Sequence, residues 1–116
     1  MSSMYDNAHA LEKAIRESQE FKELKEAFEA VMNDQSAREM FESFRDSQLN
    51  LQEKQLEGEE ITEEEVEKAR RIVDLVQEHK DISKLMDKEH RLNLVINDIS
   101  RIITKPLEEL YGESLE

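Results

Sequence analysis

The stretch Gly58-Glu59-Glu60-Ile61-Thr62-Glu63-Glu64-Glu65 decides the fold of this chain, because it separates two long segments whose apolar residues recur three and four positions apart. Gly58 is one of only two glycines in 116 residues, and glycine tolerates the left-handed backbone conformation that closes a helix. Thr62, with Glu65 three residues later, fits a capping box that opens the next helix. The stretch therefore predicts the bend of a helical hairpin.

The spacing of the apolar residues indicates a folded chain, although the composition alone is compatible with disorder. Charged residues make up 39% of the sequence and aromatic residues 5%, and the mean hydropathy is -0.81. The apolar residues nevertheless recur with the period of amphipathic helices, and no segment shows the period of two that is typical of a strand. We predict one all-α domain over residues 1–116, an elongated antiparallel helical bundle built on the long hairpin, with no sheet.

The chain divides into five predicted helices and a short terminal turn. Ser18 is a candidate N-cap that interrupts the first apolar pattern, and residues 33–36 have the composition of a turn. Proline does not continue a helix interior, so we expect Pro106 to end the fifth helix and to begin a last turn that Gly112 stops. The predicted helices span residues 4–17, 18–32, 35–57, 62–77 and 81–104, and the turn spans 106–111.

Two of these helices carry seams with alternating spacings of three and four residues, which are candidate packing or interaction surfaces. Gln48, Gln55 and Glu89 interrupt the seams with polar side chains. Each of them either fixes the register of packed helices or lies at the solvated edge with its stem on the core, and the sequence leaves both readings open. The candidate seam residues are Phe41, Phe44, Gln48, Leu51 and Gln55 in the third helix and Leu92, Ile96, Ile99 and Ile103 in the fifth.

The charge balance limits the partners that this chain is expected to bind. With 29 acidic and 16 basic residues, the formal charge is -13, which disfavours electrostatic binding to nucleic acid or to anionic membranes. We therefore expect no direct nucleic-acid contact and no membrane contact. The N-terminus lacks the basic and apolar regions of a signal peptide, and no apolar run reaches the ~20 residues that span a bilayer, so we interpret the protein as cytoplasmic.

The spacing of reactive side chains does not indicate an active site. Metal-binding helical bundles place Glu-x-x-His on two helices, and the nearest approximation here is a single Asp87-x-x-His90. The chain has no cysteine to ligate zinc or an iron-sulfur cluster, and a lone carboxylate such as Glu89 makes no acid-base couple. We expect no catalytic residue, no metal and no cofactor. A bundle enzyme with Asp87, Glu89 and His90 as metal ligands is the alternative hypothesis.

Seven acidic residues lie between Glu57 and Glu67, at the predicted tip of the hairpin. Acidic residues in the first turn of a helix stabilise it by ~0.3 to 1 kcal/mol each at low salt, which explains most of this cluster. The functional alternative is that the tip binds a basic partner.

Two stretches resemble the signatures of a known family. The first is Met40-Phe41-Glu42-Ser43-Phe44-Arg45, followed by Leu51-Gln52-Glu53-Lys54-Gln55-Leu56-Glu57-Gly58-Glu59-Glu60-Ile61-Thr62. The second is Lys105-Pro106-Leu107-Glu108-Glu109-Leu110-Tyr111-Gly112. Together they resemble the YheA branch of the YlbF/YmcA-like family of small helical proteins from Bacillus-type Firmicutes, over nearly the whole chain from about Tyr5 to Gly112.

The resemblance implies an all-helical, self-associating protein with no established enzymatic activity. Relatives in the wider family are linked to competence, biofilm formation and RNA processing through a protein complex, which implies an adaptor. Some of those relatives carry cysteines implicated in an iron-sulfur cluster. This chain has no cysteine, so the resemblance carries over neither that cluster nor membership in that complex.

We therefore predict a non-enzymatic protein-protein interaction module, a self-associating regulatory adaptor that forms a dimer and binds an unidentified protein partner. Helices of ~30 Å or more in a chain of 13.7 kDa make an elongated body. The apolar stripes of such helices exceed what one copy is expected to cover. The alternatives are the metal-binding enzyme and an accessory factor for RNA processing.

Overall fold

The computed structural model describes residues 3–115, and the side chains of residues 3–112. Its five helices are α1 (Ser3–Glu17), α2 (Gln19–Met32), α3 (Gln35–Leu56), α4 (Glu63–Glu78) and α5 (Lys80–Leu115). The helices pack against one another, and no strand occurs in the described part of the chain. The prediction of an all-α bundle without a sheet is confirmed.

Each break between helices lies at a side chain that accepts hydrogen bonds from the next helix. Ser18 Oγ accepts from the amide of Phe21 at 3.2 Å, and Asp34 Oδ1 accepts from the amide of Ser36 at 3.1 Å. His79 has an extended backbone, with φ -79° and ψ 116°, and its Nδ1 lies 3.5 Å from the amide of Ile82. The fifth helix was predicted to begin at residue 81, and α5 begins one residue earlier, at Lys80.

The turn at Gly58 closes α3 with backbone hydrogen bonds. The amide of Gly58 donates to the carbonyl of Gln55 at 3.3 Å, and the amide of Glu59 donates to the carbonyl of Lys54 at 2.9 Å. This pair of bonds is a Schellman motif, which places one residue in the left-handed region. Gly58 has φ +73°, and a Cβ there would meet no atom within 4 Å, so the backbone conformation rather than crowding requires glycine.

The core lies where four helix ends meet. It combines the C-terminal half of α2, the N-terminal half of α3, the end of α4 and the beginning of α5. α5 runs antiparallel to α2, since Glu23 pairs with Lys88 at 3.4 Å while Ala30 lies beside Asp81 in the same crevice. The buried cluster consists of Ala27, Val31, Ala37, Phe41, Val76, Ile82 and Leu85.

The predicted end of the fifth helix at residue 104 and the separate turn over residues 106–111 are wrong. α5 is a single helix of 36 residues that contains Pro106, and it continues past Gly112. Proline removes the amide that would bond to the carbonyl of Ile102. Ile102 is 71% exposed, so water can satisfy that carbonyl. Pro106 therefore breaks one hydrogen bond without ending the helix.

The molecule is extended, as the long helices predict. The radius of gyration is 18.8 Å and the principal extents are 46 × 37 × 25 Å, whereas a compact domain of this length has a radius of gyration of about 13 Å. Segments outside the core therefore project from it.

Replacing Ile82 with alanine should destabilise the protein by about 2 to 5 kcal/mol, because it leaves a cavity in a fully buried site. The matched control is Leu94→Ala on the same helix, which should change the free energy of unfolding by no more than about 0.5 kcal/mol, because Leu94 is 49% exposed. Urea unfolding followed by circular dichroism measures both. Equal effects of the two substitutions would contradict the assignment of the core.

Pro106→Ala should increase helix protection around residues 102–110. Proline in a helix interior costs up to about 3 kcal/mol relative to alanine, and alanine restores the missing hydrogen bond to Ile102. Amide hydrogen exchange of the two proteins measures the difference. If residues 105–110 of the unaltered chain already exchange at the rate of an unstructured peptide, α5 ends near residue 104 and the continuous helix is wrong.

Candidate interaction surfaces

The longest apolar seam runs along α5 and extends beyond the core. Its members recur at alternating spacings of three and four residues, the seven-residue repeat of helices that pack along one another. Near the core the seam is covered, with Ile82 0%, Leu85 1% and Leu92 7% exposed. Farther along, the exposed fractions are 39% for Ile96 and 63% for Ile103. The complete seam is Ile82, Leu85, Glu89, Leu92, Ile96, Ile99, Ile103, Pro106 and Leu110.

Residues 93–112, which we call the α5 arm, carry the uncovered part of this seam. Val95 and Ile99 are half-buried, and every residue from 100 to 112 is exposed. Ile102 and Leu107 widen the stripe on its two sides, with exposed fractions of 71% and 58%. A soluble helix normally buries its apolar stripe against a neighbour, so the α5 arm has the pattern of a packed helix and the exposure of an unpacked one.

α1 carries a second uncovered stripe. Met4, Ala8, Leu11 and Ile15 follow one another at spacings of four, three and four residues, and they are exposed or half-buried. Among the described residues, no Cα of α1 lies within 8 Å of a Cα in α3, α4 or α5. α1 therefore packs only on α2, and its stripe is largely open. These residues are not among the candidate surfaces predicted from the sequence, although their spacing was a sufficient signal.

The candidate seam of α3 is covered only near its beginning. Phe41 is 4% exposed, with the guanidinium of Arg45 at 5.9 Å from its ring centroid. Phe44 and Leu51 are half-buried, while Gln48 and Gln55 are exposed. Because α3 leaves the core after its first turns, the outer seam positions face solvent.

The three polar interruptions of the seams are all exposed. Gln48 and Glu89 line one groove of about 410 Å³ between α3 and α5, together with Phe44, Leu49 and Met86. Gln55 lies near the tip of the hairpin. In a single chain these side chains therefore lie at the solvated edge of the seams and not in a packed interior.

A second groove, of about 700 Å³, runs along the hairpin formed by α3 and α4. Its floor is apolar and contains Met40, Leu51, Ile72 and Leu75. Glu39 and Asp46 lie on its α3 side, and Lys68 lies on its α4 side. The hairpin therefore presents an apolar floor with acidic side chains beside it.

The tip of the hairpin is held together by Glu65. Its Oε1 accepts from the amide of Thr62 at 3.3 Å, and the amide of Glu65 donates to Thr62 Oγ1 at 3.1 Å, which are the two halves of a capping box. Its Oε2 accepts from Nζ of Lys54 on the other helix. The hydrogen bond from Lys54, and then the one from the backbone of Thr62, lower the pKa of the Glu65 carboxyl below its ordinary value.

The other six acidic residues of the tip are exposed, and they surround this capped pair: Glu57, Glu59, Glu60, Glu63, Glu64 and Glu67. The first turn of α4 accounts for Glu63 and Glu64 as residues that stabilise the helix dipole. Glu57, Glu59 and Glu60 precede that turn. Stabilisation of the first turn of α4 therefore does not explain all the acidic residues of the tip.

Asp87, Glu89 and His90, the residues of the metal-site hypothesis, lie exposed on α5. Asp87 pairs with Arg91 at 3.5 Å, and Glu89 and His90 line the groove between α3 and α5. In the described part of the chain, no three His, Asp or Glu side chains are placed to hold one metal ion. The described helices also include none that combines the length and the apolarity needed to cross a membrane.

The lowered pKa of Glu65 predicts an acid-sensitive hairpin tip. A carboxyl whose pKa is lowered by folding contributes stability above its unfolded value, here 4.5, and the contribution is lost as the pH falls through the lower folded value. Glu65→Gln should therefore show a smaller loss of stability between neutral and acid pH than the unaltered chain. Thermal unfolding at several pH values measures this.

The matched control for that experiment is Glu60→Gln, which is exposed and lies before the first turn of α4. It should leave the pH dependence close to that of the unaltered chain. If both substitutions flatten the pH dependence equally, then the bond between Lys54 and Glu65 is not its source.

Comparison with known proteins places the molecule among small helical proteins of bacilli. A family described as "Control of competence regulator ComK, YlbF/YmcA" matches residues 4–108. A UPF0342 protein of Oceanobacillus iheyensis is 65% identical over 112 residues, which cover 97% of this chain and 96% of the relative.

Two solved structures share the fold. A protein of unknown function (DUF964) from Bacillus stearothermophilus superimposes with a TM-score of 0.87 and 39% identity, covering 95% of this chain and 96% of the other. The yheA protein of Bacillus subtilis superimposes with a TM-score of 0.74 and 43% identity, covering 92% and 97%. Because the matches span both chains almost completely, they concern the whole arrangement of helices and not one segment.

Proposed function

This chain belongs to the family described as "Control of competence regulator ComK, YlbF/YmcA", and we propose that it acts as a regulatory adaptor that binds proteins, first a second copy of itself. The family resemblance read from the sequence is thereby confirmed, including its YheA branch. The family is regulatory or uncharacterised, and it is not a known enzyme family. An adaptor acts by binding, so the proposal requires no catalytic residue.

The observation that carries the proposal is the concentration of exposed apolar side chains outside the core. Among the described residues, fourteen large apolar side chains are exposed, and nine of these lie on α1 or on the α5 arm. Exposed apolar side chains gathered on projecting elements mark sites of protein association. The nine, of which Leu94 lies on the α5 arm but away from its seam, are Met4, Tyr5, Leu94, Ile96, Ile102, Ile103, Leu107, Leu110 and Tyr111.

An adaptor needs a second surface for its other partner, and the hairpin supports one. The groove along α3 and α4 combines an apolar floor with Glu39 and Asp46, and six exposed carboxylates surround the tip. Such a surface favours a partner with an apolar stripe flanked by basic residues. The groove is lined by residues of α3 and α4 and by none of the α5 arm. A second copy bound to the α5 arm therefore does not occupy the groove.

The alternative hypotheses, a metal-binding enzyme and an accessory factor for RNA processing, remain predictions with distinct readouts. The first predicts stoichiometric metal in purified protein by elemental analysis. The second predicts salt-sensitive retention on RNA, which the charge of -13 disfavours.

Self-association is tested by light scattering coupled to size-exclusion chromatography. At tens of micromolar protein, we expect a mass twice that of the 13.7 kDa chain. Ile103→Asp should weaken association by at least about 100-fold and give a monomer, because burying an unpaired carboxylate costs several kcal/mol. Ile103 is 63% exposed in one chain, so the variant should keep its helical circular dichroism spectrum.

The matched control is Leu94→Asp. Leu94 lies on the same helix but about 200° around its axis from Leu92 and the seam. This variant should still associate. A monomeric unaltered protein at tens of micromolar would refute self-association.

A further inference from the structure

We propose that the α5 arm of one copy is covered by α1 of a second copy, which lies antiparallel on it, and that the second copy's α5 arm is covered reciprocally by α1 of the first. This inference rests on the proposed self-association. It adds which surface is covered, the α5 arm, and which segment of the second copy covers it, α1. Two reciprocal contacts of this kind close a two-fold symmetric dimer and leave no free end for a growing filament.

The spacing of the two stripes fits antiparallel packing. Along α1 the seam residues follow at intervals of four, three and four, and along the α5 arm, read from Leu110 backwards, the intervals are again four, three and four. Helices with such a repeat pack side chains in successive layers. The layers would be Met4 with Leu110, Ala8 with Pro106, Leu11 with Ile103, and Ile15 with Ile99.

The residues beside the seams suit a wide apolar contact. In this register Tyr5 lies on the same side as Leu107, and Ala14 on the same side as Ile102. Ala8 opposite Pro106 brings the smallest side chain of the α1 seam to the proline ring. The proline thus occupies a seam position that a small partner side chain can accommodate.

A second copy, and not the same chain, is the occupant that the geometry indicates. Packed helices lie 8–10 Å apart between axes, and no described Cα of α1 comes within 8 Å of a Cα in α5. The extended backbone of Ser18, with φ -70° and ψ 153°, ends α1 before α2 begins, and α1 packs on α2 and not on α5. Both stripes therefore remain open in one chain.

The distribution of charge permits two strongly acidic chains to meet here. α1 and the α5 arm together carry six acidic and four basic residues, a net charge of -2, while the rest of the chain carries 23 acidic and 12 basic residues, a net charge of -11. Like-charge repulsion between two copies is therefore smallest when they meet through these two segments.

The area available matches that of a stable dimer. Six exposed side chains lie on the facing parts of the two stripes, with exposed fractions from 58% to 75%. At roughly 100 Å² each they offer about 600 Å² per copy, or about 1,200 Å² in total, which is the lower end of a standard interface. The six are Met4, Tyr5, Ile102, Ile103, Leu107 and Leu110.

The test uses single cysteines, since the chain has none of its own. Leu11→Cys on one protein and Ile103→Cys on a second, longer-tagged protein are refolded together and treated with a short bis-maleimide. We expect the main product to be a two-chain species with one tagged and one untagged chain. Leu94→Cys in place of Ile103→Cys is the matched control and should give no such product.

A second pair, Ala8→Cys with Pro106→Cys, repeats the test at two exposed positions, where substitution does not disturb the core. If light scattering shows a dimer but neither pair cross-links between chains, the surface is wrong while self-association stands. If the protein is a monomer, both the self-association and the proposed contact surface are wrong. If Leu11→Cys and Ile103→Cys placed in one chain cross-link within a monomer, α1 covers its own α5 arm and the inference is overturned.

Discussion

The seven-residue apolar repeat of α5 is the constraint on which the rest of the arrangement depends. The repeat runs from Ile82 to Leu110, about 42 Å of helix, but α2, α3 and α4 cover only its first part. Leu92, which is 7% exposed, is the last buried residue of the repeat among the described side chains. Because an apolar stripe on a soluble helix is stable only when it is covered, a helix longer than its own core requires something else to cover the remainder.

The other helices explain why the core is so short. Ser18, Asp34 and Gly58 break the chain at positions where side-chain or backbone hydrogen bonds satisfy the helix ends. These breaks bring four helix ends to one place, and α3 and α4 then leave it together as a hairpin. The core therefore joins the base of the hairpin to the beginning of α5, and it leaves α1 and the α5 arm as projections.

Local chemistry in the sequence was sufficient to predict the bends but not the covering of the seams. The glycine at position 58 and the Thr62 and Glu65 pair specify their conformations through neighbouring atoms alone. The prediction at Pro106 was wrong, although proline locally favours the end of a helix. The helix continues on both sides of Pro106, and water reaches the unpaired carbonyl of Ile102. Whether Ile96 or Ile103 is buried depends on helices far away in the chain, so spacing identified the seam but could not tell its covered part from its open part.

The most direct measurement is amide hydrogen exchange of the unaltered chain at two protein concentrations, one below and one above the concentration at which it associates. If a second copy covers the α5 arm, protection of residues 96–110 and of α1 rises with concentration, while protection of residues 82–92, already covered within one chain, changes little. Protection of residues 96–110 that does not depend on concentration, in a protein shown to associate, would contradict the account.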